Sequence, residues 1–191
     1  MKMRNDRIDN LDRRIINILS ENPRKPVKRI AQETKASRPT ITKRIEKLFG
    51  RGLIAVNVGL NLGRLGYRTA YIGLEVKGME ERQKTIEALK MCPRVLTILQ
   101  PSGETNLNVY GYGENNTTLE SLIESLRDLS NVRIVYVQYS EPPIYPENVC
   151  VKLYPEKADV APCGKRCAQC ESFKSSRCVG CPATTAYSGL L

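Results

Sequence analysis

Five cysteines near the C-terminus, Cys163, Cys167, Cys170, Cys178 and Cys181, are spaced C-x3-C-x2-C-x7-C-x2-C. A CxxC pair brings two thiolates within reach of one tetrahedral ion, and two such pairs supply the four sulfurs of a closed structural zinc centre at about 2.3 Å. Cys167, Cys170, Cys178 and Cys181 are thus the candidate zinc ligands, with Cys163 as a substitute for any one of them. An iron–sulfur cluster on four of the five is the alternative, and it would make the tail redox-sensitive. Free thiols or a reversible disulfide stay open as well. Gly164, Gly180 and Pro182 supply tight turns beside the cysteines. The segment 162–191 has too few apolar side chains for a core of its own, so it needs a cross-link or a metal to fold alone. Its role is either a structural knuckle or a sensor serving the rest of the chain. Cys92 and Cys150 stand apart from the cluster and read as small buried hydrophobes.

The elements upstream must decide what such a tail serves. The chain has 191 residues, 41% of them hydrophobic, which is a globular composition with room for one ordinary domain or two small ones. Its apolar runs are far shorter than the roughly 20 residues a membrane span needs, and its first residues lack an apolar signal core. These features predict a soluble cytoplasmic protein with no membrane partner, in which clustered thiols are kept reduced. The net charge is +10. Residues 1–60 carry 15 Lys and Arg against 6 Asp and Glu, whereas residues 61–191 carry 15 against 14. A basic first third on a nearly neutral body suggests a polyanionic partner, nucleic acid being the usual one.

Local patterns in that basic third predict three helices. Asp9 caps the first, with Asp12 completing a capping box, and Ile8, Leu11, Ile15, Ile18 and Leu19 fall on one face. Asn22-Pro23 ends it. The second begins near Pro26 with Val27, Ile30 and Ala31 inward, and Thr34 to Ala36 make the turn. Ser37 caps the third, in which Ile41, Ile45 and Leu48 are spaced for burial. That spacing pushes Thr40, Lys43, Arg44 and Lys47 outward, with Arg38 and Thr42 at the helix start and flank. A helix with such a face fits the DNA major groove, where its first residues reach base edges and later cations meet phosphates. Arg38, Thr40, Thr42, Lys43, Arg44 and Lys47 are therefore the candidate DNA contacts. Beyond Gly52, the apolar residues Ile54, Val56, Val58, Leu60 and Leu62 alternate, predicting a strand with one buried face that serves as a wing or a connector.

The stretch Leu11-Asp12, Ile15-Ile16, Ile30-Ala31, Ser37 to Leu48 and Gly52-Leu53-Ile54 resembles the N-terminal domain of Lrp/AsnC-family transcription regulators. The middle of the chain extends the likeness over residues 6–140. Ala70, Ile72, Leu74 and Val76 alternate as a strand, then a helix runs from Met79 to Met91 with Ile86 and Leu89 inward. Two strands follow, Val95 to Gln100 and Leu107 to Tyr112, joined by a turn-rich loop. Leu119, Leu122, Ile123, Leu126 and Leu129 mark a second helix, and Val132 to Tyr139 a fourth strand. The order βαββαβ is ferredoxin-like: an antiparallel sheet with both helices on one face. Tyr71, Tyr110 and Tyr112 point to the other face and leave it open to a second subunit. A homodimer, or a higher homo-oligomer built from it, also presents two recognition helices to two half-sites.

The resemblance implies an effector-binding and oligomerisation domain here, with an amino acid commonly held between subunits near a Gly-rich hairpin. Gly103, Glu104 and Asn106 are the corresponding candidates for a small-molecule effector, with Glu104 and Asn106 replacing the acidic residues of the family's G-D-x-D pattern. Other proteins similar to this family are enzymes of modified-tetrapyrrole synthesis that use histidines, and this chain has none. A sequence-specific regulator is the leading reading, tuned by metal or redox state through its tail; a non-specific nucleic-acid or chromatin protein is the alternative. The expected α+β architecture is a winged helix-turn-helix over residues 1–53, a connecting strand over 54–66, and a ferredoxin-like domain over 67–141. A Pro-rich linker with one extra strand over 142–161 and a small zinc knuckle over 162–191 complete it.

Overall fold

The computed structural model describes residues 8–191, so the reading that the first residues hold no signal core lies outside the described residues. The chain divides into two compact units, 1–57 and 58–191. In the first unit, α1 (Asn10–Glu21), α2 (Val27–Thr34) and α3 (Arg38–Gly50) enclose a core of Ile15, Ile30, Ala31, Ile41 and Leu48. Their ends form as the sequence predicts: Asp9 and Asp12 make a reciprocal capping box, and the Ser37 hydroxyl accepts from the Thr40 amide. Lys35, in the left-handed region at φ 57°, turns the chain between α2 and α3.

The wing is a correction. Alternation over residues 54–62 yields only β1 (Gly59–Leu60), and this strand pairs antiparallel with β6 (Val149–Cys150) inside the second unit. A strand needs a ladder partner as well as a pattern, and Val56 and Val58 find none among the described residues, remaining 53% and 84% exposed. The extra strand foreseen in the Pro-rich segment is this β6.

The second unit is built on the expected βαββαβ order: β2 (Arg68–Val76), α4 (Met79–Met91), β3 (Val95–Leu99), β4 (Leu107–Gly113), α5 (Asn116–Arg127) and β5 (Val132–Ser140). The antiparallel sheet has strand order β3-β4-β2-β5. Ala70, Ile72, Leu74 and Val76 of β2 meet Ile86 and Leu89 of α4 and Leu119, Leu122, Ile123 and Leu126 of α5 in one core.

On the sheet's opposite face, Tyr71 and Tyr110 are half-buried neighbours across β2 and β4. Tyr112 is not open to a partner as expected. It is fully buried and stacks on Tyr67 at 5.7 Å, beneath Leu62, Val149, Val151 and Leu191 of this same chain. Gly73 lets Tyr136 lie flat against the strand: a Cβ there would stand 2.4 Å from the Tyr136 ring. Gly73→Ala should therefore cost about 1–3 kcal/mol, as over-packing does. A urea midpoint equal to wild type would show that the ring moves freely.

Candidate DNA interface and thiol cluster

The outer face of α3 follows from the burial of its inner face. Arg38, Thr40, Thr42, Lys43 and Lys47 are all exposed, and Arg38, Lys43 and Lys47 form no ion pair with any described residue. They remain available to phosphate oxygens and base edges. Thr40 is partly committed, since its hydroxyl lies 2.8 Å from that of Ser37 at the helix cap.

Arg44 departs from expectation. It lies on the flank of α3 next to the buried stripe, and its guanidinium donates to Asp9 Oδ2 at 2.5 Å and to Asp12 Oδ1 and Oδ2 at 3.1 Å on α1. The Asp12 side chain is only 5% exposed, and a buried carboxylate needs such a counter-charge. Arg44 is accordingly a clamp between α1 and α3. The Asp12 backbone N–H, and then Arg44, hold the Asp9 carboxyl below its usual range. A depressed carboxylate stabilises the fold above its unfolded pKa, and this contribution fades as pH falls through the lowered value. Arg44→Ala should lower the melting temperature at pH 7 more than it does below pH 3; an equal fall at both would assign the loss to packing alone. A second arginine, Arg14, caps α2 by donating to the carbonyls of Glu33 and Thr34 at 2.6 and 3.2 Å. Neither clamp carries a local sequence signal, because the partners lie 19 to 35 residues away.

The effector candidates sit on the β3–β4 loop. Gly103 and Glu104 are exposed. Both ends of the Asn106 amide are engaged with one residue, Oδ1 accepting from the Val76 amide and Nδ2 donating to the Val76 carbonyl, each at 3.0 Å.

All seven cysteines are free. Cys167 is buried, Cys170, Cys178 and Cys181 are half-buried and Cys163 is exposed. Among the described residues, no three Cys, Asp or Glu side chains stand close enough together to hold one ion. The cysteines are nevertheless neighbours: the Cys181 amide donates to Cys167 Sγ at 3.3 Å, and Thr184 Oγ1 lies 3.5 Å from the same sulfur. Gly180, at φ 86°, gives the turn between Cys178 and Cys181 a conformation that a side chain would strain. Burial pushes the Cys181 thiol up to about 12. Of the isolated cysteines, Cys150 is exposed rather than buried. Cys92 is partly buried, its thiol pushed up by desolvation.

The tail does not stand apart from the sheet. Arg94, at the entry to β3, is 5% exposed; it pairs with the Glu114 carboxylate and donates to the Gly180 carbonyl inside the second CxxC at 2.5 Å. Tyr187 donates to the other Glu114 oxygen at 2.6 Å, and Lys165 pairs with Asp128 at 2.6 Å. The tail is therefore held to the domain by the buried Arg94–Glu114–Tyr187 set and by the more exposed Lys165–Asp128 pair.

An AsnC-type helix-turn-helix domain model matches residues 8–48, the three helices just described. An uncharacterized HTH-type transcriptional regulator of Pyrococcus furiosus is 30% identical over 128 residues, covering 65% of this chain and 85% of the relative. The chain belongs to the Lrp/AsnC family of transcriptional regulators. The HTH-type transcriptional regulator LysM of Saccharolobus solfataricus is 28% identical over 130 residues, covering 68% of this chain and 91% of LysM. In fold, the regulator resembles a feast or famine regulatory protein from M. tuberculosis solved in complex with L-methionine, with a TM-score of 0.65 at 18% identity. That likeness covers 73% of this chain and 95% of the solved one. The regulator is a DNA-binding protein and, like its relatives, not an enzyme. No helix among the described residues is long and apolar enough to cross a membrane.

Proposed function

We propose that this regulator binds double-stranded DNA sequence-specifically as a homodimer, reading its site with α3. The observation that carries the proposal is the exposed cationic face of Arg38, Lys43 and Lys47, without ion pairs to any described residue, on a helix fixed by the Ser37 cap and the Arg44 clamp. Self-association is supported by the exposed Val56 and Val58 and by the half-buried Tyr71 and Tyr110 on the sheet face that the helices leave free. The input is assigned to the tail: a thiophilic metal, zinc first and an iron–sulfur cluster second, held by Cys167, Cys170, Cys178 and Cys181 with Cys163 in reserve. The M. tuberculosis neighbour was solved with methionine. Here Asn106 is spent on Val76, which disfavours the same kind of effector at this loop.

The test compares affinity for the DNA upstream of the regulator's own coding sequence with affinity for random duplex of equal length at one salt concentration. Tighter binding to the upstream DNA is expected. Equal affinity would return the protein to the class of non-specific nucleic-acid binders.

A further inference from the structure

Six of the seven cysteines line one cavity of about 470 Å³: Cys92, Cys163, Cys167, Cys170, Cys178 and Cys181. Five belong to the tail. Cys92 does not; it follows α4, immediately before the strand entered through Arg94, and no spacing rule connects it to the others. The cavity floor comes from the helices of the α/β domain, with Leu89 of α4 and Leu122 of α5, so the tail closes over the domain with the thiols between them. Among the described residues no three of these sulfurs stand close enough together to hold one ion, as a single tetrahedral site at about 2.3 Å requires; they are spread around a larger space. Thr118, which lines the cavity, is fully buried, and its hydroxyl has no hydrogen-bond partner among the described residues.

We infer that this cavity takes a polynuclear, thiolate-ligated metal centre, and that Cys92 of the α/β domain is one of its ligands. The inference rests on the reading of the tail as metal-binding and extends it from four cysteines to a centre shared by tail and body. Each ligating thiol releases its proton as a sulfur–metal bond forms, and no electron is transferred in binding. The ions are bridged either by the protein's own thiolates or by inorganic sulfide. Because its ligands come from both sides of the cavity, the centre would bind the tail to the helices that carry the sheet.

Full-length protein, stripped of metal under anaerobic reducing conditions and freed of reductant, is loaded in one arm with Zn²⁺ and in a second with Fe²⁺, Fe³⁺ and sulfide, the ferric ions supplying the oxidised part of a sulfide-bridged core. Metal per chain and melting temperature are then read. Two or more ions per chain are expected in at least one arm, the Zn²⁺ arm marking thiolate bridging and the iron arm sulfide bridging. Cys92→Ala should lose at least one ion and most of the metal-dependent rise in melting temperature, whereas Cys150→Ala, outside the cavity, should lose neither. Should Cys92→Ala fail to fold, X-ray absorption of the loaded wild-type chain reads the same point, a metal–metal scatterer supporting the polynuclear centre and its absence opposing it. One ion per chain, undiminished in Cys92→Ala, would overturn the inference and leave the four-cysteine site standing. No bound metal in either arm would overturn both.

Discussion

Lys43→Ala combined with Lys47→Ala weakens DNA binding about 10- to 100-fold and makes the dependence of log K on log salt shallower by about two, while the melting temperature stays near wild type. Each lysine that meets a phosphate releases close to one counterion, so removing two subtracts about that many from the slope. Stability is spared because both side chains are exposed and neither pairs with a described residue. Arg38→Ala has a different expected signature. If α3 is the recognition helix, Arg38 at its first turn meets a base edge, and its loss should relax sequence preference by about 1–3 kcal/mol at one position. The measurements are fluorescence anisotropy across a salt series and thermal melts of the same preparations. An unchanged salt slope in the double variant would move the phosphate contacts elsewhere.

Arg94→Ala should be the most destabilising single change in the second unit. The side chain is 6% exposed and its partner Glu114 9%, so truncation leaves a buried carboxylate facing only the Tyr187 hydroxyl and strips the Gly180 carbonyl of its donor. Breaking a buried pair from one side costs about 3–5 kcal/mol. Removing both charges at once, in Arg94→Met with Glu114→Gln, should recover much of that loss, since the penalty lies in the unpaired charge more than in the lost attraction. Because Arg94 grips the second CxxC, limited proteolysis of Arg94→Ala should release the tail before the sheet is attacked. Simultaneous digestion of both would show that Arg94 supports the sheet alone.

What was legible in the sequence divides along the range of the interactions. The Asp9–Asp12 box, the Ser37 cap and the stripe of Ile41, Ile45 and Leu48 depend on residues a turn or two apart, and they form as spacing predicts. The ferredoxin-like order was readable for the same reason, as each strand and helix carries its own period. Features that depend on a distant partner were not. Alternation after Gly52 cannot reveal that only Gly59 and Leu60 find a partner, some ninety residues on. Helical geometry places Arg44 near solvent, yet the buried charge of Asp12 draws it inward. Cys92, separate in sequence, shares a cavity with the tail because the chain folds back over α4 and α5. Burial of Tyr112 beneath Leu191 was equally hidden, since no local pattern says which segment will cover a sheet face.

Selection from a pool of random-sequence duplexes tests whether α3 reads DNA in symmetric pairs. The full-length regulator should enrich a pseudo-palindromic site whose half-sites lie about one helical turn, roughly 10 base pairs, apart or a multiple of that, and bind it about 10³-fold or more above the starting pool at fixed salt. A pool that emerges with no enriched sequence, bound with the affinity it had at the start, would contradict the account.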